Sequence, residues 1–265
     1  MSVYLIGELG SCHDGDWQKV ERLVAACAEA GFSACKLQYW SSADRLADRR
    51  HATDAYRAIY HTHQIPLAWL PAFRALCDEY EVEAVCTAYL PEDVERVAPY
   101  VDRIKIASFE NEDMALITAA LKAGKPVIVS AGMTDERALR RIRSRLMGRH
   151  YGGVLACVSA YPAALDGVLE RLGWRWMDED DCPFCDGYSD HTRNVWTGAC
   201  AVACGAEIIE VHVRLDDTDT VNPDYATALS PAEFRQYAEG VCTAERLIAD
   251  VPVDESAMRQ FKVRP

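Results

Sequence analysis

The segment GYSDHTRNVWTGACAVACGAEIIEVH, Gly187 to His212, holds two strand-like stretches separated by the length of a short helix, and each stretch closes on a histidine. His191 and His212 stand 212 − 191 = 21 residues apart, which is one helix-plus-strand repeat. In a parallel barrel such a repeat brings both imidazoles into one mouth from neighbouring strands. A divalent-metal site is built this way, although an isolated pair of histidines is more often structural.

Moving outward from that segment, apolar runs of strand length alternate with helical periodicity over the whole chain. Strands are predicted at Val3 to Glu8, Ala34 to Gln38, Ala84 to Thr87, Arg103 to Ala107, Pro126 to Ser130, Val154 to Val158, Cys185 to Ser189 and Glu207 to His212. A helix from about Asp16 to Ala30 places Trp17, Val20, Val24 and Cys27 on one face and stops at Gly31, which suits a left-handed cap. The last helix opens at Ser230-Pro-Ala-Glu233, with an N-cap serine, proline at the first position and glutamate at the third. Eight β/α repeats in strict alternation predict a (β/α)8 TIM barrel. An open doubly wound sheet is disfavoured because no Gly-rich dinucleotide loop follows the first strand.

At 265 residues the chain matches one such barrel, expected over about residues 3–250 with a short tail at 251–265, so residues 1–265 read as a single domain. The connections from Tyr39 to about Pro66 and from Gly173 to Phe184 are long enough to shape substrate access. A net charge of −13 argues against nucleic acid or an anionic membrane as partner. No secretory leader or membrane-spanning run is legible, so a cytoplasmic location is expected. Of eleven cysteines, Cys27, Cys35, Cys86, Cys157 and Cys204 read as reduced core thiols. The Cys182-Pro-Phe-Cys185 pair has knuckle spacing but lacks the second pair a zinc ribbon needs, and reads as loop and strand start.

Barrel enzymes of this kind work at the C-terminal ends of the strands. Read there, the sequence gives a polar crown: Glu8, Lys36 and Gln38, Thr87, Lys105 with Ser108 and Glu110, Ser130, Ser159 and Tyr161, Ser189 and His191, Glu210 and His212. Lys36 shares strand parity with Gln38, and Glu210 with His212, so each pair faces one side. Lysines inside a barrel need a compensating anion. Lys36 and Lys105 among hydroxyls therefore suggest a bound phosphate or carboxylate, and the structural alternative pairs them with Glu8 and Glu110. Asp190 reads either as an orienter of His191 or as a strand-end cap. His13, Glu210 and Tyr161 fit packing or capping equally well, while His51, His61, His63 and His150 read as solvated positions.

The segments Gly7-Glu-Leu-Gly-Ser-Cys-His-Asp-Gly15, Lys36-Leu-Gln38, Lys105-Ile-Ala-Ser108, Gly124-Lys-Pro-Val-Ile-Val-Ser-Ala-Gly-Met133, Ser159-Ala-Tyr-Pro162, Gly187-Tyr-Ser-Asp-His-Thr192 and Asn222-Pro-Asp224 resemble, in order and spacing, the sialic acid synthase family. The resemblance runs from the first strand to about Asp224. It implies condensation of phosphoenolpyruvate with a sugar aldehyde, giving a 2-keto-3-deoxy sugar acid and phosphate. It implies that His191 and His212 ligate a divalent metal, Mn²⁺ first, with Mg²⁺ or Co²⁺ as substitutes. Lys36, Thr87, Lys105, Ser108, Ser130 and Ser189 would hold phosphoenolpyruvate, with Ser159 beside them. Glu8, Gln38, Glu110, Tyr161 and Asp224 would handle the sugar, Glu8 doubling as the group that orders water or manages protons.

The chain departs from the family pattern at Phe109, Ala156, Val211 and Val213, and reads as lacking the antifreeze-like C-terminal domain usual in the family. A homodimer paired through helical faces is compatible with such a barrel. The alternatives to the condensing enzyme are a metal-dependent aldolase or epimerase that does not use phosphoenolpyruvate, and a non-catalytic ligand-binding relative.

Overall fold

The computed structural model describes residues 3–148, 150–166, 168 and 185–249. Eight parallel strands close in sequential order: β1 (Tyr4–Glu8), β2 (Ala34–Tyr39), β3 (Glu83–Ala88), β4 (Arg103–Ile106), β5 (Val127–Ser130), β6 (Tyr151–Cys157), β7 (Gly187–Asp190) and β8 (Ile208–His212). β1 pairs with both β2 and β8, which seals the barrel and sets Glu8 beside Lys36 on one side and His212 on the other. The helices are α1 (Trp17–Glu29), α2 (Ala43–Arg49), α3 (Asp54–His63), α4 (Trp69–Glu79), the single turn α5 (Val94–Val97), α6 (Met114–Lys122), α7 (Glu136–Leu146), α8 (Thr197–Ala203) and α9 (Pro231–Ile248).

The period of two along each strand divides the side chains between two cores. Outward residues such as Leu5, Leu37, Cys86, Ile104, Val129, Ala156 and Ile209 pack against the helices. Inward, Ile6, Ala34, Val85, Ile128 and Leu155 form an apolar plug in the barrel, with Tyr4 and Ile208 against it. Two residues further along their strands stand Glu8, Lys36, Thr87, Ser130, Cys157 and Glu210, so the same parity that builds the plug puts the polar layer on top of it.

The helix ends behave as their sequences dictate. Asp16 caps α1 by accepting from the Gln18 amide, Gly31 adopts φ +84°, and Ser230 with Glu233 forms a reciprocal capping box on α9. On α1 the fully buried positions are Val20, Leu23, Val24 and Cys27, so Leu23 replaces Trp17, which is only half-buried.

Other differences from the sequence reading have local causes. β6 begins at Tyr151 rather than Val154 because Gly152 lets the chain lie against the Val127 backbone, where a Cβ would meet atoms at 2.7 Å, and the register with β5 slips there. β7 is Gly187–Asp190 rather than Cys185 to Ser189. The Tyr39 to Pro66 connection holds two helices, α2 and α3, capped by Ser42 and Thr53. Cys204 is exposed at the end of α8, not part of the core. Cys182, the Gly173 to Phe184 connection and the 251–265 tail lie outside the described residues. Among the described residues no helix is long and apolar enough to cross a membrane.

Candidate functional site

The polar layer floors a cavity of about 770 Å³ at the C-terminal ends of the strands. Glu8, Lys36, Gln38, Thr87, Lys105, Ser108, Glu110, Ser130, Tyr161, Ser189, His191, Glu210, His212 and Asp224 all line it. Ser159 is absent from that lining and stands behind it, its hydroxyl donating to Ser108 Oγ at 2.9 Å.

At the cavity floor two cations and two carboxylates are interleaved. Lys36 pairs closely with Glu8 and lies 3.3 Å from Glu210 Oε2, while Lys105 lies 3.6 Å from Glu210 Oε1. Glu210, rather than Glu110, therefore joins Glu8 in balancing the lysines, because β8 closes against β1 and β7 and carries its carboxylate into the barrel. Hydroxyls complete the set: Lys36 donates to Thr87 Oγ1 at 3.1 Å, Lys105 to Ser130 Oγ at 2.6 Å, and Ser189 to Glu210 Oε1 at 2.7 Å. Burial pulls the Lys36 ammonium down to about 8, with Glu210 opposing the shift and the Lys105 charge adding to it. Burial alone would raise Glu210, yet Lys105 and Lys36 hold it well below the usual carboxylate range. Oε2 of Glu210 is buried without a hydrogen-bond partner. Such a quartet is balanced in the absence of an anion, and its two ammonium groups and ring of hydroxyls form a ready anion cradle.

Beside the cradle the two imidazoles face one another with ring centroids 5.5 Å apart. Burial, reinforced by His212, lowers His191 to about 3, and burial likewise lowers His212 against the pull of Asp224, so both rings are neutral near pH 7. His191 Nδ1 lies 2.7 Å from the Val158 carbonyl, which can only accept, so the proton sits on Nδ1 and the lone pair on Nε2. His212 Nδ1 is buried with no hydrogen-bond partner, 3.9 Å from Asp224 Oδ2. Neutral, desolvated imidazoles with an oriented lone pair on one and an orphaned nitrogen on the other fit a divalent ion. Among the described residues no group of three or more His, Cys, Asp or Glu side chains is arranged as a metal cage. Tyr161 covers the pair, tilted on His191 at 4.3 Å and edge-on to His212 at 6.0 Å.

Asp190 caps the strand end and ties it to α8 and α9, while the His191 ring is oriented by the Val158 carbonyl. It accepts from the Thr192 amide at 2.8 Å, from the Thr192 hydroxyl at 2.7 Å, from Tyr237 of α9 at 2.9 Å, and from Thr197. These bonds lock the turn that carries His191. His13 is a packing residue, edge-on to Trp69 at 5.2 Å with Nδ1 accepting from the Gly15 amide.

On the far side of His212, Asp224 accepts from the Ser11 amide at 2.8 Å and the Ser11 hydroxyl at 2.7 Å. Asn222 donates to the Ser11 carbonyl at 2.7 Å, tying the loop after β8 to the loop after β1. Between them Gly10 has φ +51°, and a Cβ there would press on the Asp224 carboxylate and lie 3.2 Å from His212 Nδ1. Gly10→Ala is expected to destabilise the protein by about 1–3 kcal/mol, read by chemical denaturation, since strain of that size attends a side chain at positive φ. A variant as stable as the parent would contradict this packing.

Several supporting residues escaped the sequence reading. Asn111 bridges the Ser130 carbonyl at 3.1 Å, the Gly132 carbonyl at 3.0 Å and Thr134 Oγ1 at 2.7 Å, pinning the β5 end next to Lys105. Arg50, at the end of α2, grips Glu110 with Nε and Nη2 at 2.7 and 2.8 Å, so Glu110 is held by a guanidinium and not by a lysine. His63, read as solvated, lines the cavity half-buried, and His51 lines it exposed. For Arg50, His51 and His63 the signal available was the length of the β2 to β3 connection, which gave a position but no partners.

Fold and site together define a (β/α)8 barrel enzyme whose chemistry sits over the strand ends. Residues 23–251 match the NeuB family, and the chain belongs to that family. It is 27% identical to the N,N'-diacetyllegionaminic acid synthase of Legionella pneumophila, over 94% of this chain and 74% of that protein. It is 26% identical to a pseudaminic acid synthase of Campylobacter jejuni, over 97% and 78%. To the human N-acetylneuraminate-9-phosphate synthase it is 23% identical, over 92% and 71%. Among solved structures, the N-acetylneuraminic acid synthetase of Leptospira borgpetersenii, in complex with citrate, superimposes with a TM-score of 0.84 at 21% identity, over 98% of this chain and 90% of that one. That likeness establishes the shared barrel.

Proposed function

We propose that this protein condenses phosphoenolpyruvate with the aldehyde of an open-chain aldose or amino sugar, giving a 2-keto-3-deoxy sugar acid and inorganic phosphate. The observation that carries the reading is the juxtaposition, in one cavity, of two neutral buried imidazoles with two buried lysines ringed by hydroxyls. Membership of a family whose relatives include synthases of N,N'-diacetyllegionaminic acid and pseudaminic acid supports the same reading.

Lys36 and Lys105 meet the phosphate and carboxylate charges of phosphoenolpyruvate, and Thr87, Ser108, Ser130 and Ser189 bond its oxygens, with Ser159 supporting Ser108. Glu8 and Glu210, which balance the lysines, hold the ammonium groups in place at the cavity floor. His191 and His212 would hold the divalent ion, Mn²⁺ in first place, with Mg²⁺ or Co²⁺ as substitutes. Bound there, the ion supplies Lewis acidity to the aldehyde oxygen. Gln38, Tyr161 and Asp224 border the space left for the sugar. Holding both reactants over one floor removes most of the entropic cost of their encounter.

The methylene carbon of phosphoenolpyruvate attacks the aldehyde carbon, water adds at the carbon bearing the phosphate, and collapse expels phosphate. Glu8, buried and fixed by the Gly10 amide at 2.6 Å, is placed to order that water or take its proton.

Phosphate release tests the reading: it is expected only when phosphoenolpyruvate, a suitable sugar and a divalent ion are present together, and it stops with chelator. A broad sugar panel with Mn²⁺ that releases none would refute it.

The depressed Lys36 makes binding pH-dependent. Below about pH 8 the free protein already carries the ammonium that the anion needs; above it, binding must draw a proton onto Lys36. The dissociation constant for phosphoenolpyruvate should therefore rise above pH 8, by up to about tenfold per pH unit. Calorimetry in buffers of different ionisation enthalpy reads both the affinity and the proton uptake; a flat profile without uptake contradicts the assignment.

A further inference from the structure

We propose that His63 is a specificity-determining residue of this cavity, forming a hydrogen bond with a hydroxyl on the distal carbons of an open-chain acceptor. This rests on the condensing function proposed above, and it adds that the acceptor is a polyhydroxylated chain longer than four carbons.

The inner face of α3 is turned to the cavity rather than to a core. Tyr56, Ile59, Tyr60 and His63, spaced as one helical stripe, all line the cavity, and none of the ten residues of α3 is buried. The end that carries His63 is nevertheless fixed to the chain leaving β2. Trp40 Nε1 donates to the Tyr60 carbonyl at 3.1 Å. Gln64, next after His63, donates to the Ser41 carbonyl at 3.0 Å and accepts from the Ala43 amide at 3.3 Å, and Ile65 beyond it is buried. These anchors set the imidazole at the cavity wall.

The ring itself is short of partners. Its Nδ1 is buried without a hydrogen bond, which costs free energy unless a bound group supplies the partner. Burial lowers the His63 pKa against the pull of Asp224 and Asp14, so the ring is neutral near pH 7. A neutral imidazole offers one N–H and one lone pair, and a hydroxyl, which donates and accepts, matches either.

Position selects the distal hydroxyls. Asp224 is the charge that bears most strongly on His212 and also on His63, so it stands near both rings. Its Oδ2 lies 3.9 Å from His212 Nδ1 and is the oxygen that Ser11 bonds. An acceptor with its aldehyde at the His191 and His212 pair therefore runs its carbon chain past Asp224 and reaches α3 with its far end.

Alditols, which are open-chain and cannot react, test this by calorimetry on the full chain with Mn²⁺ and phosphoenolpyruvate present. The four-carbon erythritol is compared with glucitol, mannitol, galactitol and their 2-acetamido-2-deoxy counterparts. At least one six-carbon probe is expected to bind about tenfold or more tightly than erythritol. His63→Phe should weaken that probe by about tenfold and erythritol by less than about threefold, so that the preference collapses, while His63→Gln, which keeps a donor and an acceptor, recovers part of it. Affinity for phosphoenolpyruvate, measured separately, stays unchanged and certifies the fold; should the larger Phe disturb it, His63→Ala takes its place with the same expected collapse. Six-carbon probes that bind no better than erythritol, a parent-like preference in the truncated variant, or a His63→Gln protein no better than His63→Phe would each overturn the inference. Absence of phosphate release over the sugar panel would instead sink the condensing function, and the alditol preference judges His63 whatever that panel shows.

Discussion

His191→Ala is expected to remove tight Mn²⁺ binding and to lower kcat/KM for phosphate release by about 10³-fold, equivalent to roughly 4 kcal/mol of lost charge stabilisation at the aldehyde oxygen. The reason is geometric. With Nδ1 committed to the Val158 carbonyl, the lone pair on Nε2 is set before any ion arrives, and Asp190 fixes the turn beneath it through bonds from Thr192, Thr197 and Tyr237. His212→Ala should behave alike, since a single imidazole leaves the ion with one protein ligand. The folded state should survive both changes, because neither ring carries charge that a neighbour depends on. If metal content and turnover persist in both variants, the imidazole pair serves packing alone.

Replacing Lys105 by methionine should raise the dissociation constant for phosphoenolpyruvate by about 10²- to 10³-fold, the effect of truncating one partner of a desolvated charge contact. It should also destabilise the protein, on the order of 3 kcal/mol, because Glu210 is left with only Lys36 at 3.3 Å to balance a buried carboxylate. The two effects separate in the double variant Lys105→Met with Glu210→Gln. Removing both charges should recover most of the stability while leaving phosphoenolpyruvate binding poor. Recovery of binding together with stability would mean that Lys105 is structural, which is the reading in which the floor is merely a salt-bridge network.

Much of this architecture was legible in the chain because barrel geometry ties chemistry to simple periods. Eight apolar runs gave the strands, and the two-residue step from Ile6 to Glu8, from Ala34 to Lys36 and from Ile208 to Glu210 carried the polar crown above the apolar plug. The 21-residue interval placed His191 and His212 in one mouth. What failed to read was contact between loops distant in sequence. Glu110 lines the cavity as its place after β4 implies, but the structural alternative that pairs it with a lysine fails because it meets Arg50 across 60 residues, brought down by the connection that holds α2 and α3. Glu210 was legible as a strand residue but not as the partner of both lysines, which depends on β8 closing the barrel between β7 and β1. The early start of β6 was hidden because its glycines lack the apolar side chains by which strands announce themselves.

The central claim, an ion between His191 and His212 next to an anion held by Lys36 and Lys105, is tested most directly by a crystal of the protein with Mn²⁺ and phosphoenolpyruvate, using anomalous scattering to find the metal. The account predicts one anomalous peak roughly 2.2 Å from an imidazole nitrogen of each histidine, with phosphoenolpyruvate against both ammonium groups in the same cavity. A peak bound elsewhere, or the anion seated away from Lys36 and Lys105, would contradict it.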